Sequence, residues 1–190
     1  RMEFEVLSAS HDEEDLLTIQ ADTKDLSKQL KKYIDKIMLV DRLRETRVLA
    51  GFSRVIPEGG LDQAQKKALL RRNEPAEGKN WLPACKVYGE GIFITLCEDM
   101  LRQWEAFESV KNRAEILNLQ YVRVCAERGF TPKAITARFI LIHTLAHLLI
   151  NRLTFECGYS SASLRERLYV SDNADAPMAG FLIYTSSGDA

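Results

Sequence analysis

A long apolar segment, residues 139–153, constrains the fold more than any other part of the sequence. Nearly every position in it is apolar, which predicts a helix that is buried on most of its sides. His143 and His147 interrupt the segment four residues apart. Their rings should therefore lie on one face of the helix, one turn from each other. With these interruptions the apolar run is too short to span a bilayer.

The histidine pair has two interpretations. The zinc-hydrolase pattern H-E-x-x-H places a glutamate base directly after its first histidine, but Thr144 stands at that position here. Glu156 and Glu166 are the nearby candidates for a third metal ligand. Because a lone H-x-x-x-H pattern is unspecific, we expect both histidines to be buried, hydrogen-bonded core residues that bind no metal. A metal-dependent hydrolase centred on the pair is the alternative.

The residues after the apolar segment predict a break and a restart. The break is expected at Cys157-Gly158-Tyr159. Ser163 and Glu166 then have the spacing of a capping box, which predicts a short helix before a strand that includes Leu168. In this interpretation Glu166 has a structural role.

These residues carry a resemblance to a known family. The strings HTLAHLLI, CGYSSASLRERLY and MAGFLIYTSSGDA resemble the helicase-associated domain of unknown function of bacterial DEAD/DEAH-type helicase systems. Residues 1–8 (RMEFEVLS), 39–54 (LVDRLRETRVLAGFSR) and 81–95 (WLPACKVYGEGIFIT) extend it, in the same order, to the DrmB family of the DISARM phage-defence system.

The resemblance implies a non-catalytic subunit that works beside a DrmA-like helicase motor and assists sequence-independent DNA binding. In the family, the chain continues into a glycine-rich segment and a cysteine cluster thought to hold zinc. This sequence begins with Arg1 and ends with Ala190 soon after an apolar strand near residues 181–184. We therefore expect a piece of a larger protein, with that strand unpaired at an edge and no cofactor within the chain itself.

Composition favours a globular, cytoplasmic protein. Of the 190 residues, 46% are hydrophobic and 28% charged, and the formal net charge is −1, so any nucleic-acid binding must come from local patches. The sequence has no phosphate-binding loop, which argues against ATP turnover. The cysteines form no C-x-x-C pair and are expected to be reduced core residues, namely Cys85, Cys97, Cys125 and Cys157.

The order of the predicted elements indicates a mixed α/β or α+β fold around the long helix. We expect a strand–helix–strand part over residues 1–56, a polar insertion over 57–80 and a core over 81–190. Sheet order does not follow from the sequence, although parallel pairing of strands near 92–97 and 181–184 would suit their long helical connection. The predicted strands cover residues 2–7, 37–40, 48–55 and two short stretches that flank a Gly89-Glu90-Gly91 turn. Helices are predicted over residues 25–37 and 99–129, and the second of them should break once, before Leu117.

Basic side chains cluster in two places that could contact DNA phosphates. The first is a group of arginines, and the second a short helix within the insertion. Instead of contacting DNA, the arginine group could be ordered by a salt bridge between Arg44 and Glu45. For the chain as a whole, a further alternative is a scaffold whose only partner is the helicase. No aromatic ladder indicates base stacking. The candidate DNA-binding residues are Arg42, Arg44, Arg47, Arg54, Lys66, Lys67, Arg71 and Arg72.

Overall fold

The computed structural model describes residues 1–49, 62, 64, 65, 68, 82–160 and 162–185. The helices are α1 (Met2–Leu7), α2 (Lys28–Tyr33), α3 (Glu98–Glu105), α4 (Glu108–Glu127) and α5 (Ala137–Cys157). The strands are β1 (His11–Asp12), β2 (Leu16–Gln20), β3 (Ile34–Val48), β4 (Ala84–Leu96), β5 (Leu164–Ser171) and β6 (Met178–Thr185). The predicted mixed fold is confirmed, in its α+β form.

The strands make one sheet in the order β1-β2-β3-β4-β6-β5, and all neighbours are antiparallel. The strands near 92–97 and 181–184 are indeed neighbours, with Ile92 opposite Ile183, but the parallel pairing considered for them is wrong. The expected unpaired edge is wrong too, because β6 lies between β4 and β5. The chain forms the edge strand β5 first, and β6 then inserts between β5 and β4.

β3 and β4 are each one continuous strand and pair from Ile34–Leu96 to Val48–Ala84, with a bulge between Val40 and Leu43. The predicted turn at Gly89-Glu90-Gly91 is therefore wrong, as is the predicted interruption between the strands 37–40 and 48–55. Residues 50–55 of the second predicted strand lie outside the described residues. The glycines instead allow β6 to approach. A Cβ on Gly91 would lie only 2.3 Å from the Ile183 carbonyl oxygen.

Two amino-terminal elements differ from the prediction. Residues 2–7 form a helix because Phe4 and Leu7, one turn apart, pack into the core, whereas Met2 and Val6 stay exposed. The alternation of apolar and polar residues suggested a strand, but it does not match this burial. The predicted helix over 25–37 is shorter. It ends at Tyr33, where β3 begins.

The long helical region divides earlier than expected. α3 ends at Glu105 and α4 runs unbroken from Glu108, so the break falls at Ala106 and Phe107 and not before Leu117. Among the described residues, no helix combines the length and the apolar character that crossing a membrane requires.

The sheet separates two apolar clusters. One face packs against α1 and includes Met38, Phe93 and Tyr169. The other packs against α3 and α5 and includes Ile142 and Ala146. β6 contributes to both, because its alternate side chains point to opposite faces. All four cysteines are free, but only Cys125 is buried, so the expectation that all of them are core residues is wrong.

Candidate functional site

α5 lies across one face of the sheet. It begins after Thr136, whose side-chain oxygen accepts from the Phe139 amide, and ends before Gly158, which has a left-handed φ of 76°. The predicted helix and its break are confirmed. Burial on most sides is wrong, however, because Leu148, within the apolar segment, is 56% exposed. One stripe of the helix is fully buried, and neighbouring apolar side chains such as Leu145 and Leu149 are partly buried against the same cluster, whereas the opposite side faces solvent.

His143 and His147 share one face of α5, as predicted. Their burial is not as predicted, since their side chains are 43% and 54% exposed. The two Nε2 atoms lie 3.0 Å apart, and the ring planes are nearly perpendicular at 79°. Phe139 stacks on the His143 ring at a centroid distance of 5.6 Å. The pair is therefore ordered by contacts along the helix and stays open to solvent.

Glu166 lies on β5 and points toward this histidine pair. Its Oε1 atom is 3.5 Å from Nε2 of His143 and 3.5 Å from Nε2 of His147. The predicted capping box is wrong, because the chain enters a strand at Leu164 and the Ser163 hydroxyl donates to the Ser160 carbonyl. The spacing of Ser163 and Glu166 suits a helix cap, but the segment pairs with β6 and therefore forms a strand.

The alternation of β5 explains this orientation. Leu164, Leu168 and Val170 pack into the cluster beneath α5, and Glu166 belongs to the same alternating set. It is thus a carboxylate on an otherwise apolar strand face. If residues 164–170 are taken as a strand, its alternation places Glu166 on the face toward α5, which would have identified Glu166 as a candidate site residue. Glu156, the other candidate ligand, pairs with Arg152 on the exposed side of α5.

The carboxylate of Glu166 is incompletely satisfied. Its Oε2 atom is buried and has no hydrogen-bond partner among the described residues. Its Oε1 atom lies 3.5 Å from each imidazole nitrogen, longer than a usual N–H···O hydrogen bond of about 2.7–3.2 Å. Two imidazole nitrogens and a carboxylate oxygen converge on one point, and these are donor atoms that divalent transition metals accept.

Arg138 is a buried charge that the sequence reasoning missed. Its side chain is 1% exposed and forms ion pairs with Glu98 at 2.8 Å and Glu105 at 2.9 Å. It also donates to the Ser171 carbonyl. Arg138, Ile142 and Ala146 follow at intervals of four residues, so the buried stripe of α5 includes the arginine. This four-residue spacing is the sequence signal from which a buried position for Arg138 could have been predicted.

The charges around Arg138 influence one another. Burial alone would lower the pKa of Arg138, but the hydrogen bonds and charges of Glu105 and Glu98 outweigh it and raise that pKa. Burial likewise acts to raise the pKa of Glu98, and the hydrogen bonds from Arg138 and Arg102 reverse this and lower it. Both shifts favour the charged forms of Arg138 and Glu98, and the contacts of Arg138 fasten α5 to α3 and β5.

The predicted DNA-binding arginines that the structure describes lie along β3. Arg42 donates to the backbone carbonyls of Glu13 and Glu14, and Arg44 forms an ion pair with Asp15. Both therefore contact the acidic segment between β1 and β2. Arg47 pairs with Glu45 at 3.1 Å. A pairing between Arg44 and Glu45, the alternative considered, is replaced by these contacts.

The other five candidates lie outside the described residues, as does nearly all of the predicted insertion over 57–80. They are Arg54, Lys66, Lys67, Arg71 and Arg72.

The described part of the chain is thus an α+β domain whose long helix carries a histidine pair facing a strand carboxylate. Its sequence is similar to the DISARM protein DrmB of Bacillus paralicheniformis, with 34% identity over 175 residues. The match covers 90% of this chain and 30% of that relative, so the chain spans less than a third of the relative's length. No protein-family model matches the chain. The resemblance to DrmB inferred from the sequence is confirmed.

Proposed function

We propose that the chain is part of a DISARM-type defence subunit that protects bacteria from phage without catalysing a reaction itself. The observation that carries this proposal is the similarity to DrmB, which extends over 90% of the chain. A match of that extent spans most of the chain. It therefore concerns the domain as a whole and not a single motif.

The finer proposal concerns partners. Within such a complex, the protein works beside a DrmA-like helicase motor subunit and contributes sequence-independent DNA contacts. Arg42, Arg44 and Arg47 support it, because guanidinium groups bind phosphates bidentately. The ion pairs that Arg44 and Arg47 form in the structure do not prevent them from binding phosphate. The Arg44 and Arg47 side chains are 35% and 36% exposed, and such surface pairs contribute only about 0–1 kcal/mol, so a phosphate can replace the carboxylate.

The hydrolase alternative receives less support. Thr144 stands where the zinc-hydrolase pattern has its glutamate base, has no carboxylate, and donates its hydroxyl to the Ile140 carbonyl. Glu166 is positioned as a ligand for a cation and not as a base beside a metal-bound water. We therefore do not adopt hydrolysis as the function. A scaffold that binds only the helicase is the competing proposal that an experiment must separate.

DNA binding by the intact protein, measured with and without its motor subunit, separates these proposals. We expect the double variant Arg42→Ala/Arg44→Ala to weaken binding of the assembly to DNA of any sequence. Each lost phosphate contact should reduce the slope of log affinity against log salt by about 0.9 on duplex or about 0.7 on a single strand. Arg123→Ala is the matched control, because this arginine is 82% exposed on α4.

Three results would reject parts of the proposal. An unchanged salt slope together with a lower melting temperature would assign the arginines to the fold. Co-purification with the motor subunit and no contribution to DNA affinity would favour the scaffold. Failure to co-purify with any motor subunit would contradict the helicase partnership itself.

A further inference from the structure

The described residues contain a group of three potential metal ligands that the proposed function does not use. The Nε2 atoms of His143 and His147 lie 3.0 Å apart, and each is 3.5 Å from Oε1 of Glu166. In a tetrahedral zinc site, metal–nitrogen bonds of about 2.0–2.1 Å place neighbouring ligand atoms roughly 3.3–3.4 Å apart. The three atoms therefore already form a triangle close to one face of such a tetrahedron.

We propose that His143, His147 and Glu166 bind a divalent transition-metal ion of the zinc type. Each histidine supplies Nε2, and Glu166 supplies its carboxylate. Two imidazole ligands favour zinc or a neighbouring transition metal over Mg²⁺ or Ca²⁺, which prefer oxygen ligands. The fourth position opens to solvent, because both histidine side chains are about half exposed, at 43% and 54%.

The metal-free arrangement leaves polar atoms without partners, which is the physical reason for the proposal. Only one imidazole can donate to the other across their 3.0 Å contact, since neutral imidazole carries a single ring proton. Oε1 of Glu166 stays beyond the usual hydrogen-bond distance from both rings, and Oε2 is buried without a partner. A bound cation compensates the carboxylate charge on an otherwise apolar strand face.

The position of the site suggests what the ion does. The histidines belong to α5, whereas Glu166 belongs to β5, the last strand in the sheet order. One ion therefore links the long helix to an edge strand. The open fourth position leaves room for a water molecule or for a ligand from a partner. This proposal departs from the expectation that the chain holds no metal, and it is independent of the proposed role in defence.

Metal titration of the intact, chelator-treated protein tests the site. We expect the wild type to bind one more Zn²⁺ per chain than the His143→Ala/His147→Ala variant. Any zinc held elsewhere in the protein is common to both and cancels in this difference. Loss of a residue that merely supports a ligand costs roughly 10- to 100-fold in metal affinity, so each single alanine variant should lose at least about 100-fold.

Controls separate the site from unspecific binding. His11→Ala removes the remaining histidine, which contacts the Val6 carbonyl, and Glu156→Gln removes an exposed carboxylate of α5. Neither should change affinity by more than about twofold. With Co²⁺ in place of Zn²⁺, the difference spectrum between wild type and double variant should show visible ligand-field bands and no thiolate charge-transfer band.

Equal metal content in the wild type and the double variant would overturn the proposal, and so would an unchanged affinity in the single variants. Glu166→Gln keeps the side-chain shape and covers the case in which an alanine variant does not fold. Added Zn²⁺ should raise the melting temperature of the wild type more than that of Glu166→Gln. Equal shifts in the two proteins would also reject the site.

Discussion

Arg138 makes contacts that hold three elements together. Its guanidinium group binds Glu98 and Glu105 at the two ends of α3 and the Ser171 carbonyl at the end of β5. The side chain itself belongs to the first turn of α5 and is 1% exposed. An ion cluster of this kind contributes little as a whole, but removing its buried arginine leaves two partly buried carboxylates with too little compensating positive charge.

Replacing Arg138 should therefore be strongly destabilising. We expect Arg138→Ala to lower the free energy of unfolding by about 3–5 kcal/mol, because a buried side chain is removed, Glu105 loses its ion-pair partner and Glu98 keeps only Arg102. Arg102→Ala is the matched control. It removes only the half-exposed partner of Glu98 and should cost less than about 1 kcal/mol. Urea denaturation of both variants measures the difference. Equal losses in the free energy of unfolding would show that the buried Arg138 contributes no more to stability than the exposed Arg102.

The same cluster predicts how stability depends on pH. The pKa of Glu98 is lowered in the folded state, since the hydrogen bonds from Arg138 and Arg102 outweigh the opposing effect of burial. A lowered folded pKa stabilises the protein above the unfolded pKa, which is about 4.3 for glutamate. This contribution is lost as the pH falls through the folded pKa.

We expect the wild type to lose stability below about pH 4.3 more steeply than Glu98→Gln, which has no carboxyl group to titrate at that position. Denaturation midpoints measured between neutral and acidic pH compare the two proteins. Parallel curves over the whole acidic range would mean that Glu98 has the same pKa in both states.

At the scale of elements, close packing of strands explains where glycine is required. The backbone of β6 passes so near β4 that a Cβ on Gly91 would meet the Ile183 carbonyl oxygen at 2.3 Å. We expect Gly91→Ala to cost about 1–3 kcal/mol of stability through overpacking. Lys86→Ala, at an exposed position of the same strand, should change it by less than about 0.5 kcal/mol. Thermal melting of both variants checks this, and an unaffected Gly91→Ala protein would show that the strands can separate at no cost.

The elements also show which features local sequence can predict. α5 and its end at Gly158 were predictable, because helical periodicity and a left-handed cap are local signals. α1 was not, since its strand-like alternation is overridden by the packing of Phe4 and Leu7. The continuous β4 was also missed. Its Gly-Glu-Gly segment resembles a turn unless the neighbouring β6 is known.

The site residues follow the same rule. His143 and His147 were predicted on one helical face, because their spacing alone determines it. Their exposure depends on how much of α5 the sheet covers, which the sequence of the helix does not contain. Glu166 was assigned to a helix cap, and only its pairing with Ile183 on β6 directs it to the histidines.

At the scale of the whole molecule, the charge distribution bears on DNA binding. The chain has a formal net charge of −1, and the acidic segment beside β3 occupies two of the arginines proposed to bind phosphate. If Arg44 binds DNA as proposed, Asp15 must compete with the phosphate for it in this arrangement. Charge removal at Asp15 should therefore help binding, whereas removal of the arginine should weaken it.

We expect Asp15→Asn to raise the DNA affinity of the assembled complex by up to about fivefold, since an exposed ion pair contributes no more than about 1 kcal/mol. Asp22→Asn is the control, because that carboxylate pairs with Lys24 and with none of the arginines proposed to bind DNA. Fluorescence anisotropy at fixed salt measures both. An unchanged affinity for Asp15→Asn would indicate that Arg44 does not contact DNA.

The central claim is that this protein acts in phage defence as a DISARM-type subunit. The most direct test is the plating efficiency of phage on three strains, namely the complete host, an in-frame deletion of this protein, and the deletion carrying an intact copy. We predict that the deletion is as sensitive as a strain without the whole system, and that the intact copy restores protection. Full protection in the deletion strain would contradict the claim.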